Sequence, residues 1–438
     1  PPRVGYTMIA SLLQRFKGDL ALALMRTFIA RGIAAVGGIV LFIVLGRLYG
    51  AEGVGVFALA QSIYLGAGIL ARYGMDNALM RYVGQDPTAS AVPVYLRLAL
   101  TKSALLSTVA AVLVFLLRDQ FALWFDAPML GIVLPGIALA IPPFTVAFVL
   151  AGFMKGIRKP ATACLLENGG IALVATLLVL LFDRISTAGI AMAGWAMAVA
   201  AWLVFAQGLC QVWNYLKTKP PGVDEQKVDP SAFNSSSSAF FVMSLAPFVQ
   251  QVLFVLIAAS YLTDKNLGLF KAAERSALLI SFVLIVINAV LPPRFASLYK
   301  NRKIGEMLSL LKKGALIGLL LASPFLILCI VSPKLILGLY GTEFVNAALP
   351  LQIIAIGQAI NVATGSVGFL LNMTGNERVM RNISILSNFV GLVFLTVLLP
   401  SNGVLGAAIS FSVILILQNS LALYYVYKRL LVGWAVVQ

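Results

Sequence analysis

Apolar stretches separated by short polar turns run along almost the whole chain, at roughly 20–48, 54–80, 93–117, 130–154, 160–182, 188–215, 239–262, 267–293, 305–331, 345–372, 380–399 and 403–427. At ~1.5 Å of rise per residue, about 20 helical residues cross the ~30 Å hydrocarbon core of a bilayer. None of the stretches alternates with the period of two that marks an outer-membrane barrel strand. The pattern predicts an all-α polytopic membrane protein with twelve transmembrane helices. Ahead of them, residues 6–17 place Met8, Ile9, Leu12, Leu13 and Phe16 on one helical face, with Gln14, Arg15 and Lys17 elsewhere. Such a segment lies in the membrane interface, and it lacks the uncharged apolar centre of a signal peptide.

The two halves echo each other. Gly53-Val54-Gly55-Val56-Phe57-Ala58 is answered by Asn266-Leu267-Gly268-Leu269-Phe270-Lys271, with Phe57 and Phe270 213 positions apart. Arg81 and Arg294 keep the same offset of 213. Leu134-Pro135 and Leu349-Pro350, Gly156 and Gly375, and Gly189-Ile190 and Gly403-Val404 follow in the same order. A duplicated unit packed in a membrane is a transporter plan, with the substrate path between the halves. The expected division is a first lobe over 1–216, a linker over 217–238 and a second lobe over 239–438. The linker is polar, and its Asn234-Ser235-Ser236-Ser237-Ser238 run suggests an N-cap for the seventh helix.

Composition agrees with a membrane environment: 61% of residues are hydrophobic, 11% are charged and the mean hydropathy is +0.97. Cys164, Cys210 and Cys329 have no motif spacing, so neither a disulfide nor a metal site is expected. The chain has no histidine, which weighs against most enzymatic readings. With a cytoplasmic N-terminus, inside segments hold 21 of the 32 Lys and Arg and outside loops hold 5. That asymmetry places both termini in the cytoplasm and makes the +16 net charge a matter of topology and anionic lipid contact, not of nucleic acid.

The remaining six basic residues, assigned to neither side, lie within the spans: Arg26, Arg31, Arg72, Lys102, Lys271 and Arg275. Three acids accompany them: Asp76, Glu167 and Glu274. A charge at the centre of a membrane helix costs about 2.5–3.5 kcal/mol, so such groups face a partner or a wet cavity. Pairing is one reading, with Arg72 and Asp76 at i,i+4 and Glu274 between Lys271 and Arg275. Arg26 and Lys102 are also able to snorkel towards headgroups. Pairing alone leaves three cations over, and a phosphorylated substrate would neutralise them. Arg31, about ten residues into the first span, is the strongest binding candidate, with Arg26 nearer the cytoplasm; guanidinium forks suit phosphate oxygens. The three acids are candidates for coupling to protons or sodium, against the alternative of permanent ion pairs with Arg72, Lys102 or Arg275. No other cofactor is implied.

Pro142-Pro143, Pro247 and Pro292-Pro293 are expected to break or end their helices. Gln61, Gln207, Gln211, Gln251, Asn288, Gln358, Asn361 and Asn372 put neutral polar groups in the spans, for interhelical bonds or a sugar-lined cavity.

The strings Arg47-Leu48-Tyr49-Gly50-Ala51-Glu52-Gly53-Val54-Gly55 and Tyr73-Gly74-Met75-Asp76-Asn77 resemble the opening of Wzx-type bacterial polysaccharide exporters. So do Leu339-Tyr340-Gly341-Thr342-Glu343-Phe344 and Leu370-Leu371-Asn372-Met373-Thr374-Gly375. These exporters belong to the multidrug/oligosaccharidyl-lipid/polysaccharide (MOP) superfamily. The resemblance implies two six-helix lobes in a V and the flipping of an undecaprenyl-pyrophosphate-linked oligosaccharide across the bacterial inner membrane. It implies a cationic central cavity with basic residues on the first helix, where Arg26 and Arg31 stand. Lipid-linked oligosaccharide, membrane lipids and the polysaccharide polymerase machinery are the implied partners. A cation-coupled multidrug antiporter and a peptidoglycan lipid II flippase remain as alternatives, and a receptor or scaffold as a third class.

Overall fold

The computed structural model describes residues 4–86, 90–185, 189–218 and 229–432, with most side chains from Arg26 onward. The face expected for the 6–17 segment and the middle of the linker, 219–228, lie outside the described residues. Among those described the chain is helical, with no strand. In the first half come α1 (Val4–Arg72), α2 (Met75–Gln85), α3 (Val92–Leu116), α4 (Arg118–Trp124), α5 (Pro128–Gly156), α6 (Pro160–Leu166), α7 (Asn168–Ile185) and α8 (Ala191–Thr218). In the second come α9 (Pro230–Phe248), a π-helical turn (Val249–Leu253), α10 (Phe254–Ala259), α11 (Asp264–Lys300), α12 (Ile304–Val331) and α13 (Pro333–Leu337). A 3-10 turn (Thr342–Ala347), α14 (Ala348–Thr364), α15 (Val367–Met373), α16 (Glu377–Val426) and a π-helical turn (Tyr427–Val432) follow.

Eight of the described helices are long and apolar enough to cross a membrane, and α6 with α7 forms a bent pair that makes a ninth. Two of the eight contain a break where a glycine leaves the helical region, Gly50 in α1 (φ 67°) and Gly403 in α16 (φ 50°). Positive φ costs glycine nothing, so the chain turns there without a loop. Taking each broken helix as two crossings and the charged, 37-residue α11 as another accommodates the twelve expected segments.

Three expectations about helix ends are corrected. α5 runs through Pro135, Pro142 and Pro143 unbroken, because neighbouring helices bury nearly its whole length. α11 passes Pro292 and continues to Lys300, held by the buried Phe295. The seventh span begins at Pro230, not after the serine run. Asp229 is its cap: the carboxylate accepts from the backbone N–H of Ser231 and Ala232, both at 3.0 Å, and Pro230 pre-sets the first turn. Of the three expected proline sites, Pro247 is the one at a disturbed helix among the described residues, since the π-helical turn follows it directly.

Packing is organised around α1 and α11. α1 lies against α5 and α7 of its own half and against α11 of the other, while α5 packs on α3 and α8 and α14 on α16. The ends of the helices fall into two groups. The end rich in Lys and Arg, called here the basic end, holds 73–86, 90–92 and 294–305; the far end holds 47–55, 264 and 338–343. At the far end Arg47 donates to the carbonyls of Leu339 (2.6 Å) and Gly338 (2.8 Å), and the amide of Ala51 donates to Glu343 (2.5 Å). At the basic end Phe233 of α9 packs against Tyr82 and Tyr95, and Tyr73 stacks on Phe241 with centroids 4.6 Å apart. The serine run serves this contact: buried Ser237 donates its hydroxyl to the carbonyl of Tyr73 at 2.5 Å.

Candidate functional site

The charged residues within the helices gather in three places. The most enclosed is on α11. Lys271, with 6% of its side chain exposed, pairs with Glu274 one turn on. Arg275 reaches across to α1, where its Nη2 donates to Gln61 Oε1 at 3.0 Å and its guanidinium lies 4.8 Å from the centroid of the Phe42 ring. Its Nε is buried with no hydrogen-bond partner among the described residues. A buried donor without an acceptor costs about 1–3 kcal/mol, and more for a charged group. The ring face supplies attraction to the charge but no lone pair. Arg275 therefore sits between the two halves with one fork position unsatisfied and, in this conformation, closed off from solvent.

The second group belongs to the first half. Arg72 lies 3.8 Å from Asp76, donates its Nε to the carbonyl of Gly68 at 3.2 Å and stands 3.9 Å over the Phe148 ring. Lys155, at the end of α5, pairs with Glu167 at the break between α6 and α7. Glu167 is thus not the partner of Arg72, Lys102 or Arg275, as the pairing alternative expects. The short 157–159 turn brings Lys155 and Glu167 together, and sequence distance gave no sign of it. Lys102 donates to Asn234 Oδ1 at 2.7 Å, which ties α3 to α9.

Arg26 and Arg31 are exposed on α1, and among the described residues neither has a hydrogen-bond or ion-pair partner. Helical spacing separates their roles. Arg26 is in line with Ile29, Ile33, Val36 and Val40, an exposed apolar stripe suited to acyl chains. Arg31 is in line with Gly38, beside which there is open space, and with Phe42, the ring under Arg275. Eleven residues of helix put Arg31 about 16 Å from Phe42 along the axis. Helical spacing thus puts Arg31 in line with the Phe42 side of α1 and Arg26 in line with the apolar stripe.

Some of the neutral polar residues are satisfied within the protein, while the buried Oε1 of Gln211 has no hydrogen-bond partner among the described residues. Ser366 donates to Asn288 Oδ1 at 2.6 Å between elements, and Asn361 donates to Gln358 at 3.1 Å within α14. Gln61 alone among them touches a site cation. Phe42 and Phe148, which carry the two guanidinium groups, had no distinguishing signal, since phenylalanine is frequent throughout the chain.

Residues 24–299 match the model of a family described as polysaccharide biosynthesis protein, well over half of the chain. The chain belongs to that family. No curated protein matches its sequence. In fold it is similar to the lipid II flippase MurJ in an inward closed conformation, at 12% identity and a TM-score of 0.70 over 93% of this chain and 87% of that one. It is also similar to a multidrug resistance MATE family transporter of the MOP superfamily in an inward-facing conformation, at 13% identity and TM-score 0.69 over 91% and 95%. A MOP superfamily transporter from Pyrococcus furiosus, reported for the reverse polarity of its binding pocket, matches at 12% identity and TM-score 0.60 over 93% and 95%. The fold is that of the MOP superfamily, in a multi-pass membrane protein, and its neighbours are transporters and flippases.

Proposed function

We propose that this protein flips an undecaprenyl-pyrophosphate-linked oligosaccharide from the inner to the outer leaflet of the bacterial cytoplasmic membrane. The observation that carries the reading is Arg275, a guanidinium at the interface of the halves whose buried Nε lacks an acceptor. Phosphate offers oxygens in the planar geometry that an arginine fork accepts. Arg31, in line with Phe42 on α1 and without a hydrogen-bond or ion-pair partner among the described residues, meets the pyrophosphate nearer the cytoplasm and passes it on. The carbon chain of the lipid stays in the bilayer while the head crosses between a lobe of residues 1–216 and one of 239–438 by alternating access. Membership of a polysaccharide biosynthesis family supports this cargo over cationic drugs, which buried arginines repel. Polymerase machinery would receive the product on the outer side.

Reconstituted vesicles loaded with a fluorescent undecaprenyl-pyrophosphate glycan test the proposal. Protein-dependent flipping that Arg275→Gln abolishes is expected. Export of cationic dyes without movement of the glycan lipid would replace this reading by a multidrug antiporter.

A further inference from the structure

A polar cleft lies away from these residues, at the basic end between α11 and α12. Its volume is about 630 Å³, and Arg294, Ser297, Ser309 and Lys313 line it together with Leu298 and Leu310. Its one acid, Glu306, is occupied by Lys303 at 2.8 Å. Arg294 and Lys313 have no hydrogen-bond or ion-pair partner among the described residues. The cleft therefore carries two unneutralised cations and two hydroxyls beside two leucines that edge the second hydrophobic core.

The first half shows how such a place is filled from within. Arg81 and Lys102 precede Arg294 and Lys313 by 213 and 211 positions. There the start of α9 covers the surface: Phe233 packs on Tyr82 and Tyr95, and Asn234 gives Lys102 its oxygen. Lys313 has no such oxygen among the described residues, although it stands about as far into its helix as Lys102 does. Arg294 is six residues before the end of α11 and Lys313 nine residues into α12, so the cleft reaches about 9–13 Å inwards from the helix ends. With the basic end turned to the cytoplasm, a cleft at that distance from the helix ends would face the phosphate and first methylenes of inner-leaflet lipids. A ligand there has to combine anionic oxygens for Arg294 and Lys313 with an apolar part for Leu298 and Leu310.

We propose that the α11–α12 cleft binds the phosphate of an anionic phospholipid of the cytoplasmic leaflet, outside the transport path. Each basic residue near a membrane surface contributes on the order of 1 kcal/mol to anionic lipid binding. Removing both cations is expected to weaken binding roughly thirtyfold.

The test uses the full chain in neutral detergent, titrated with phosphatidylglycerol and with phosphatidylcholine and read by native mass spectrometry. Arg294→Gln/Lys313→Gln should lose phosphatidylglycerol binding by that factor. Lys300→Gln/Arg302→Gln, which removes the same charge nearby but outside the cleft, should keep it. Equal loss in both double variants assigns the effect to diffuse surface charge and overturns the site. Undiminished binding in the cleft variant overturns it too. Inorganic phosphate binding as tightly as the lipid overturns the lipid assignment. If the double variant does not fold, Lys313→Gln alone carries the same comparison against Lys300→Gln.

Discussion

Gly55 and Gly268 face each other where α1 crosses α11. A methyl group built on Gly55 would overlap the carbonyl oxygen of Asp264, and one on Gly268 that of Ala51. The two glycines are 213 positions apart, so the repeated motif of each half closes on its counterpart in the other. Backbone against backbone leaves nothing to yield. Gly55→Ala is expected to push the helices apart at the far end and cost on the order of 2 kcal/mol. Gly38→Ala, with no neighbour within 4 Å of the added carbon, should be neutral or slightly stabilising. Thermal unfolding of the two variants, with a distance measurement across the far end, checks the pair; equal melting temperatures would remove the crossing as a constraint.

Arg31 and Arg26 should part company in transport. Arg31 shares the side of α1 that carries Phe42, while Arg26 shares the exposed apolar stripe. Arg31→Ala is expected to fold and insert yet lose most glycan-lipid flipping, and Arg31→Lys to recover part of it. Arg26→Ala should retain flipping. The reverse order of effects would place the substrate path elsewhere on α1.

The Lys271–Glu274 pair is expected to be structural. Glu274→Gln leaves a lysine with 6% exposure without its counter-charge, at a cost of about 3 kcal/mol. Lys271→Met/Glu274→Gln should recover much of that loss and leave the response of transport to an imposed proton or sodium gradient unchanged. Loss of ion dependence in the stable double variant would instead make Glu274 a coupling group.

The far-end crossing should weaken with rising pH. Burial, reinforced by the carboxylates of Glu52 and Asp126, pushes the Asp264 carboxyl up to about 6 from its ordinary 3.8. The folded state then holds a proton that the unfolded chain has released, so stability falls as pH rises from about 4 to about 6 and stays lower above. Asp264 is partly solvated, which limits the effect to the order of 1 kcal/mol. Asp264→Asn should gain stability relative to the parent across that window and match it below pH 4; a constant difference at all pH values would show that Asp264 does not titrate there.

Much of the fold was legible in the sequence. Long apolar runs have one solution in a bilayer, because every backbone polar group needs a partner and only a helix supplies it within the run. The 213-residue echo pointed to Gly55 and Gly268, although not to their contact. Helix ends were less legible. Pro142 and Pro143 are breakers by local chemistry, yet α5 is buried on nearly all sides and tolerates them. The serine run looked like a cap, but Asp229 and Pro230 hold the earlier position and Phe233 packs behind them.

The sequence by itself determined an all-helical multi-pass membrane protein and picked out the charges deep within its spans. Those are properties of single segments, set by hydropathy and by the cost of burying charge. Which charges meet was decided only by tertiary structure. Glu167 takes Lys155, Arg275 takes Gln61 from the other half, and Arg26 and Arg31 turn to different sides of one helix. Coulomb attraction falls off over a few ångströms, and those distances come from how separate helices cross, which no one helix encodes.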